Sequence, residues 1–402
     1  MFKQMLMVAG IEKYFQIATC FRDEDLRKDR QYEHKQIDME MSFATREELF
    51  NLTEEFLSKA FKKIYNINLK TPFLTLTYKE AMDKYGSDKP DLRINGMELV
   101  DISKLVKNCG FSVFKSVLDR KGIIKGFNFK KGQELMSRKE IDKLILYSQE
   151  LGAKGLAWMK VIDENKIESS ITKFFKETEL EEIRKSMKGE KGDLFFFVAD
   201  SFSTTNKVLD GLRRKIANEY NLIDNNKNSF CFIIDFPLFQ WDDENDSLTF
   251  EHSPFTMVPK ESKDFIMSLT VDKVKENKEK LLSLDSESYD LIYKGIELGS
   301  GALRITDPKL QIKIFELLGK NEEQIKDNFG WFIKAYSYAA PPHRGWGLGV
   351  DRILMLAENK ESIRDVIPFP RNKHGFCPLT SSPSSVDLKQ LRELGIKIEK
   401  KK

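Results

Sequence analysis

Apolar and polar residues alternate strictly through Ile37-Asp38-Met39-Glu40-Met41-Ser42-Phe43, with every odd position apolar and every even one polar. A period of two predicts a half-buried strand with the polar set on one face. Upstream, Tyr14 to Phe21 predicts a second strand, and the polar run Arg22 to Lys35 (RDEDLRKDRQYEHK) predicts the loop joining two antiparallel partners. The period then changes. Thr45-Arg46-Glu47-Glu48 has the form of a capping box and predicts a helix continuing through Ile64. From about residue 93 to 227 the chain becomes a Lys-rich succession of short strands and helices. It includes Gly155 to Val161 and the almost wholly apolar run Leu194 to Ala199. Phe230 to Phe239 predicts a buried strand, Tyr289 to Ile305 two strands around a glycine turn, and Gly349 to Leu356 a helix opening after a Gly-rich segment. The expected organisation is 1–92, an inserted domain at 93–227, and 228–402. Glu399-Lys400-Lys401-Lys402 is expected to be a frayed tail.

Composition narrows this only a little. A chain of 402 residues that is 41% hydrophobic and 32% charged fits a water-soluble protein of more than one domain. A net charge of +3 neither marks nor opposes a nucleic-acid binder. Cys20, Cys109, Cys231 and Cys377 lie far apart, with no C-x-x-C pair, which argues against a zinc ribbon or disulfide framework and for a reducing cytosol. No leader-like segment or long apolar span is present, so export and membrane insertion are not expected.

Three segments concentrate chemistry. The first is the loop from Arg22 to Gln31, dense in both charge signs, beside a strand whose Gln36, Asp38, Glu40 and Ser42 share one face. Charged loops are commonly just solvated, but a sheet face with two carboxylates and an amide suits a polar ligand. In the second, Asp290, Glu297 and Arg304 recur at intervals of seven. An odd interval reverses strand faces, so a turn or bulge at the glycines must realign them if they share a site. Otherwise the segment is a glycine-bearing hairpin with incidental charges. The third, Pro341 to Leu356, places Gly345, Gly347 and Gly349 ahead of Arg352, where a helix start can meet an anion. It is neither a dinucleotide fingerprint nor a P-loop. Within it, His343 and Trp346 also suit plain packing roles.

Taken together these segments resemble the class II aminoacyl-tRNA synthetases, in their bacterial aspartyl branch. FRDEDLRKDRQ followed by QIDMEMSF resembles motif 2 and GVDRILML resembles motif 3. HSPFT and YDLIYKGIELGSGALRI resemble the segments between them. The resemblance implies an α+β fold, an antiparallel sheet flanked by helices with an inserted α/β domain. It also implies ATP-dependent activation of L-aspartate and its transfer to tRNA(Asp), with Mg2+, in a cytoplasmic homodimer. Arg22 and Arg352 would be catalytic. Arg22, Asp23, Glu24, Gln31, His34, Glu297, Gly349, Val350, Asp351 and Arg352 would bind ATP. Lys3, Arg22, Gln36, Asp38, His252 and Arg304 would bind aspartate, and Asp290 and Glu297 the metal. Departures from the family pattern are His34 in place of an adenine-stacking Phe, Ser253 after His252, and Ser300 within a glycine run. The family's N-terminal anticodon-binding barrel and motif 1 are expected to be missing. Competing readings are an asparaginyl or lysyl relative, an aspartyl enzyme that also charges tRNA(Asn), and a catalytically silent binding module.

Overall fold

Each strand and helix has a local cause in the sequence. The computed structural model describes residues 1–164 and 166–399; Lys400 to Lys402 of the expected tail lie outside them. Its strands are β1 (Lys13–Phe21), β2 (Glu33–Ser42), β3 (Leu74–Thr77), β4 (Val100–Asp101), β5 (Ile123–Phe129), β6 (Ala157–Val161), β7 (Ile167–Glu168), β8 (Leu194–Asp200), β9 (Phe230–Ile234), β10 (Phe239–Asp242), β11 (Ser247–Phe250), β12 (Ser288–Tyr293), β13 (Ile296–Leu303) and β14 (His343–Gly349). The chain separates into a larger unit, 1–14 with 40–346, and a smaller one, 15–39 with 347–402.

In the larger unit the principal sheet runs β14-β13-β12-β9-β3. The β9, β12 and β13 pairings are antiparallel, whereas β3 joins β9 in parallel. One face of β9 and β12 packs aromatics toward helix Arg46–Tyr65: Phe50 stacks on Phe232 at 3.8 Å and Phe230 on Tyr293 at 4.1 Å. The alternate residues Cys231, Ile233 and Ile292 enter a separate core with Leu76, Ala81 and Phe236. The helix begins where the sequence places it. Thr45 accepts the Glu48 amide at 3.1 Å, and Glu48 accepts the Thr45 amide at 2.7 Å. It closes on Asn66 in the left-handed region.

A second sheet, β4-β5-β8-β6-β7, lies wholly within 100–200, inside the stretch read from sequence as inserted, and all its pairings are antiparallel. Its middle strand, β8, explains the apolar run. Leu194, Phe196 and Val198 face one core with helices Arg138–Glu150 and Phe202–Glu219, while Phe195 and Phe197 face another with helices Ser112–Asp119 and Glu177–Ser186. A strand covered on both faces has no polar side to alternate.

Three local expectations shift. The first loop is shorter than predicted because β2 already starts at Glu33, and β2 stops before Phe43, which adopts φ 58°. The segment 230–239 is two strands rather than one, broken at Asp235 (φ 57°) and Pro237. The Gly-rich segment before helix Val350–Ala357 is itself a strand, β14. A glycine on the neighbouring β13 lets it pack close: a Cβ on Gly301 would lie 2.2 Å from the Gly345 carbonyl oxygen. In the smaller unit, β2 lies between β1 and the end of β14. Among the described residues no helix is long and apolar enough to cross a membrane.

Candidate active site

The hairpin β12–β13 turns on Lys294 and Gly295 at φ 51° and 75°, a pair of positive φ values that suits a two-residue hairpin turn. Its register supplies the realignment that the spacing required. Leu291 opposes Gly299 but Ile292 opposes Glu297, so Leu298 is an extra residue, a β-bulge. Without it Glu297 would point to the opposite face. With it Asp290, Glu297 and Arg304 share the face away from the aromatic stack, and the interval of seven becomes workable.

Asp290 is 2% exposed. Burial drives its pKa well above the carboxylate range. The His252 hydrogen bond opposes this, and the negative charge of Glu297 adds to it. His252 Nε2 lies 3.0 Å from Asp290 Oδ1, its ring packs edge-on against Phe236, and its Nδ1 is buried with no hydrogen-bond partner among the described residues. Despite that burial, Asp290 holds the imidazole pKa above its ordinary value. Among the described residues no group of three or more His, Cys, Asp or Glu side chains is arranged to hold a metal. Two carboxylates on one face, one of them buried, nonetheless suit a hard cation that keeps other oxygens as ligands.

Near the other end of the face lies a charge triad. Glu40, with a side chain 0% exposed, accepts Arg304 Nε at 3.0 Å and Nη2 at 3.4 Å, and pairs with Lys3 Nζ at 3.1 Å. Burial alone would raise the Glu40 pKa, but Arg304 and Lys3 outweigh it and hold the carboxyl below its usual range. The alternation along β2 sets Glu40 on one strand face with Gln36, Asp38 and Ser42 but gives it no role. It is the counter-ion that sets where both cations point. His343, fully buried, donates from Nδ1 to the Pro341 carbonyl at 2.7 Å and meets the Tyr336 hydroxyl through Nε2 at 3.1 Å. Trp346 lies in the core, so both keep packing roles.

In the smaller unit the loop between β1 and β2 is pinned at its ends and partly exposed between them. The Arg22 amide donates to the Tyr32 carbonyl at 2.8 Å. The Arg22 side chain, 59% exposed, reaches Glu24 at 3.7 Å, and Glu24 also meets Arg30 at 3.7 Å; Asp23 is exposed. His34 is half-buried, and burial and Arg22 hold its pKa below the ordinary imidazole range. Gln31, expected to hold a ligand, is instead 4% exposed. Its amide clasps Arg371, accepting the backbone N–H at 2.9 Å and donating to the carbonyl at 3.2 Å, because a buried amide must satisfy both ends. Arg364 adds bonds to the carbonyls of Leu26, Arg27 and Arg371.

Asp351 likewise spends its carboxylate on the Lys35 amide at 2.7 Å, and Arg352 reaches the Asp29 carboxylate at 3.2 Å. Gly349 and Val350 form the start of helix Val350–Ala357, with no side-chain cap on its first amides. Gln36 lies against Gly347, where a Cβ would come within 2.5 Å of its amide nitrogen, and accepts the Cys20 thiol at 3.5 Å. Asp38 is partly buried on β2. Arg364, Arg371 and Glu40 were not assigned roles from sequence because their partners are remote in the chain.

Comparison with known proteins identifies the family. Residues 1–373 match the family of class II tRNA synthetases (D, K and N). Similar relatives carry the name aspartate–tRNA(Asp/Asn) ligase, among them those of Persephonella marina and Aquifex aeolicus. That of Persephonella marina is 46% identical over 398 residues, covering 99% of this chain and 65% of the relative. That of Aquifex aeolicus is 45% identical over 399 residues, covering 99% and 66%. The chain therefore spans just under two thirds of their length. A solved aspartyl tRNA synthetase from Entamoeba histolytica aligns over 94% of this chain and 51% of that one, at 18% identity and a TM-score of 0.45, too low to add to the argument. The family model spans most of the chain and the relatives share nearly half of its residues: the chain belongs to the class II tRNA synthetases of the D, K and N group.

Proposed function

We propose that this chain carries the amino-acid activation chemistry of an aspartate–tRNA ligase, with L-aspartate, ATP and tRNA as substrates. The observation that carries the reading is the triad. Two half-buried cations, Arg304 and Lys3, are held on one face by one fully buried glutamate. Glu40 occupies the Nε and Nη2 side of the guanidinium, and Nη1 is the corner it does not engage. That corner together with Lys3 suits the side-chain carboxylate of aspartate. An amide in its place would leave two largely desolvated cations facing a neutral group, a loss on the order of 3–5 kcal/mol. His252, set on Asp290, would face the substrate's carboxylates.

The α-carboxylate of aspartate attacks the α-phosphate of ATP, forming aspartyl-adenylate and releasing pyrophosphate. No protein nucleophile is needed, so positioning and charge do the work. Arg22 would take the α-phosphate charge, Glu24 and His34 would stand near the adenosine, and Arg352 would face the phosphates. Gln31 and Asp351 would support these groups through the backbone rather than touch the nucleotide. Asp290 and Glu297 would hold Mg2+, which neutralises phosphate charge when bound. A ribose hydroxyl of the tRNA 3′ end then attacks the acyl carbon of the adenylate, forming the aspartyl ester as the bond to phosphate breaks and AMP leaves.

A second reading has its own support. The relatives are named for both tRNA(Asp) and tRNA(Asn), so the chain would belong to an enzyme that charges both. The residues 93–227 form the inserted domain on this reading, and the whole enzyme is a cytoplasmic homodimer. The test is exchange of labelled pyrophosphate into ATP, with aspartate, asparagine, lysine or no amino acid. Exchange with aspartate alone, reduced by at least about 100-fold in Arg304→Ala, is expected. Equal exchange with asparagine would defeat the substrate assignment.

A further inference from the structure

Beside the Asp290–Glu297 pair stands a cation that the proposed chemistry does not use. Lys89 Nζ lies 3.8 Å from Glu297 Oε2 and pairs with Asp88, with its side chain about one-third exposed. It is delivered there by the inserted stretch. Arg214, on helix Phe202–Glu219, donates Nη2 to the Lys89 carbonyl at 2.5 Å and Nη1 to the Gly295 carbonyl at 3.4 Å, while its Nε is held by Asp210 at 2.8 Å. Gly295 leaves room for this, since a Cβ there would lie 2.6 Å from Arg214 Nη1. The adjacent Arg213, almost fully buried, binds the Met97 carbonyl at 2.5 Å and that of Tyr85 at 2.9 Å. One helix thus fixes the backbone on both sides of Lys89.

We propose that Lys89 is the resident counter-charge of the Asp290–Glu297 pair, a positioning residue anchored by Arg214, and that it keeps the pair from binding a free divalent cation. The argument rests on the metal role given to these carboxylates above. His252 engages one oxygen of Asp290, and the Lys89 ammonium faces Glu297. A free dication must displace both and brings no anion with it. A dication carried by nucleotide phosphates brings oxygens and negative charge of its own, so the ammonium turns from competitor to partner. Lys89 would therefore make the site accept metal with nucleotide rather than alone.

The test uses Mn2+ alone as probe, its binding to the chain followed by electron paramagnetic resonance, and then again with a non-hydrolysable ATP analogue. Lys89→Met keeps the aliphatic stem and removes the charge. It is expected to tighten Mn2+ binding about three- to tenfold without nucleotide, and to change it less than about twofold with the analogue. Lys89→Arg should behave like the wild type. Arg214→Ala, which releases the anchor, should tighten free Mn2+ binding by about twofold. Circular dichroism confirms that each variant folds. If Lys89→Met proves unfolded, Arg214→Ala decides on its own. Unchanged or weaker free Mn2+ binding in a folded Lys89→Met overturns the proposal. No measurable Mn2+ binding to any variant, with or without nucleotide, overturns it together with the metal assignment. Aspartate-dependent exchange by the wild type reports on the substrate reading separately.

Discussion

The bulged hairpin of the larger unit and the charged loop of the smaller one solve the problem of placing arginines in opposite ways. Arg304 is held inside the protein, its guanidinium already shared with a fully buried Glu40. Arg22 lies mostly in solvent, and its carboxylate neighbour is at the margin of an ion pair. Removing Arg304 therefore removes a structural charge as well as a ligand, whereas removing Arg22 takes away little that the folded chain needs. Burial pre-orders a group at a cost in tolerance to mutation. Exposure leaves ordering to the ligand.

The largest expected effect comes from breaking the buried side. Glu40→Ala leaves Lys3 and Arg304 without their shared counter-ion and should cost about 3–5 kcal/mol in urea unfolding; a loss below about 1 kcal/mol would mean the triad is dispensable. Arg22→Ala is the matching change on the exposed side. Stability should move by less than about 0.5 kcal/mol while aspartate-dependent exchange falls about 100-fold or more. A comparable stability loss would erase the contrast. The smallest effect is with pH. The Glu40 pKa is depressed in the folded chain, so its contribution is present above the unfolded carboxyl value and is lost as pH falls through the lower folded value. Unfolding measured from pH 6 down to pH 3 should show an acid-side loss that is smaller in Glu40→Gln, and equal slopes would count against the pairing.

Much of this was legible in the chain. The alternation over 37–43, the capping box at Thr45 and the apolar run of β8 are local patterns set by backbone period and hydrogen-bonding chemistry, so sequence determined those elements and placed Asp38 and Glu40 on one face. The three charged segments were legible as chemistry for the same reason. Tertiary structure decided whether they could work. Only the register slip at Leu298 turns Glu297 to the side of Asp290, and register depends on cross-strand partners that one strand does not encode. Only packing shows that Gln31 and Asp351 spend their polar atoms on backbone, and that Arg214 reaches Lys89 across 125 residues. Sequence specifies the residue types and local periods because these act over a few bonds. Which charge ends beside which depends on buried contacts between remote segments, where each unsatisfied polar atom carries a cost that only the folded chain resolves.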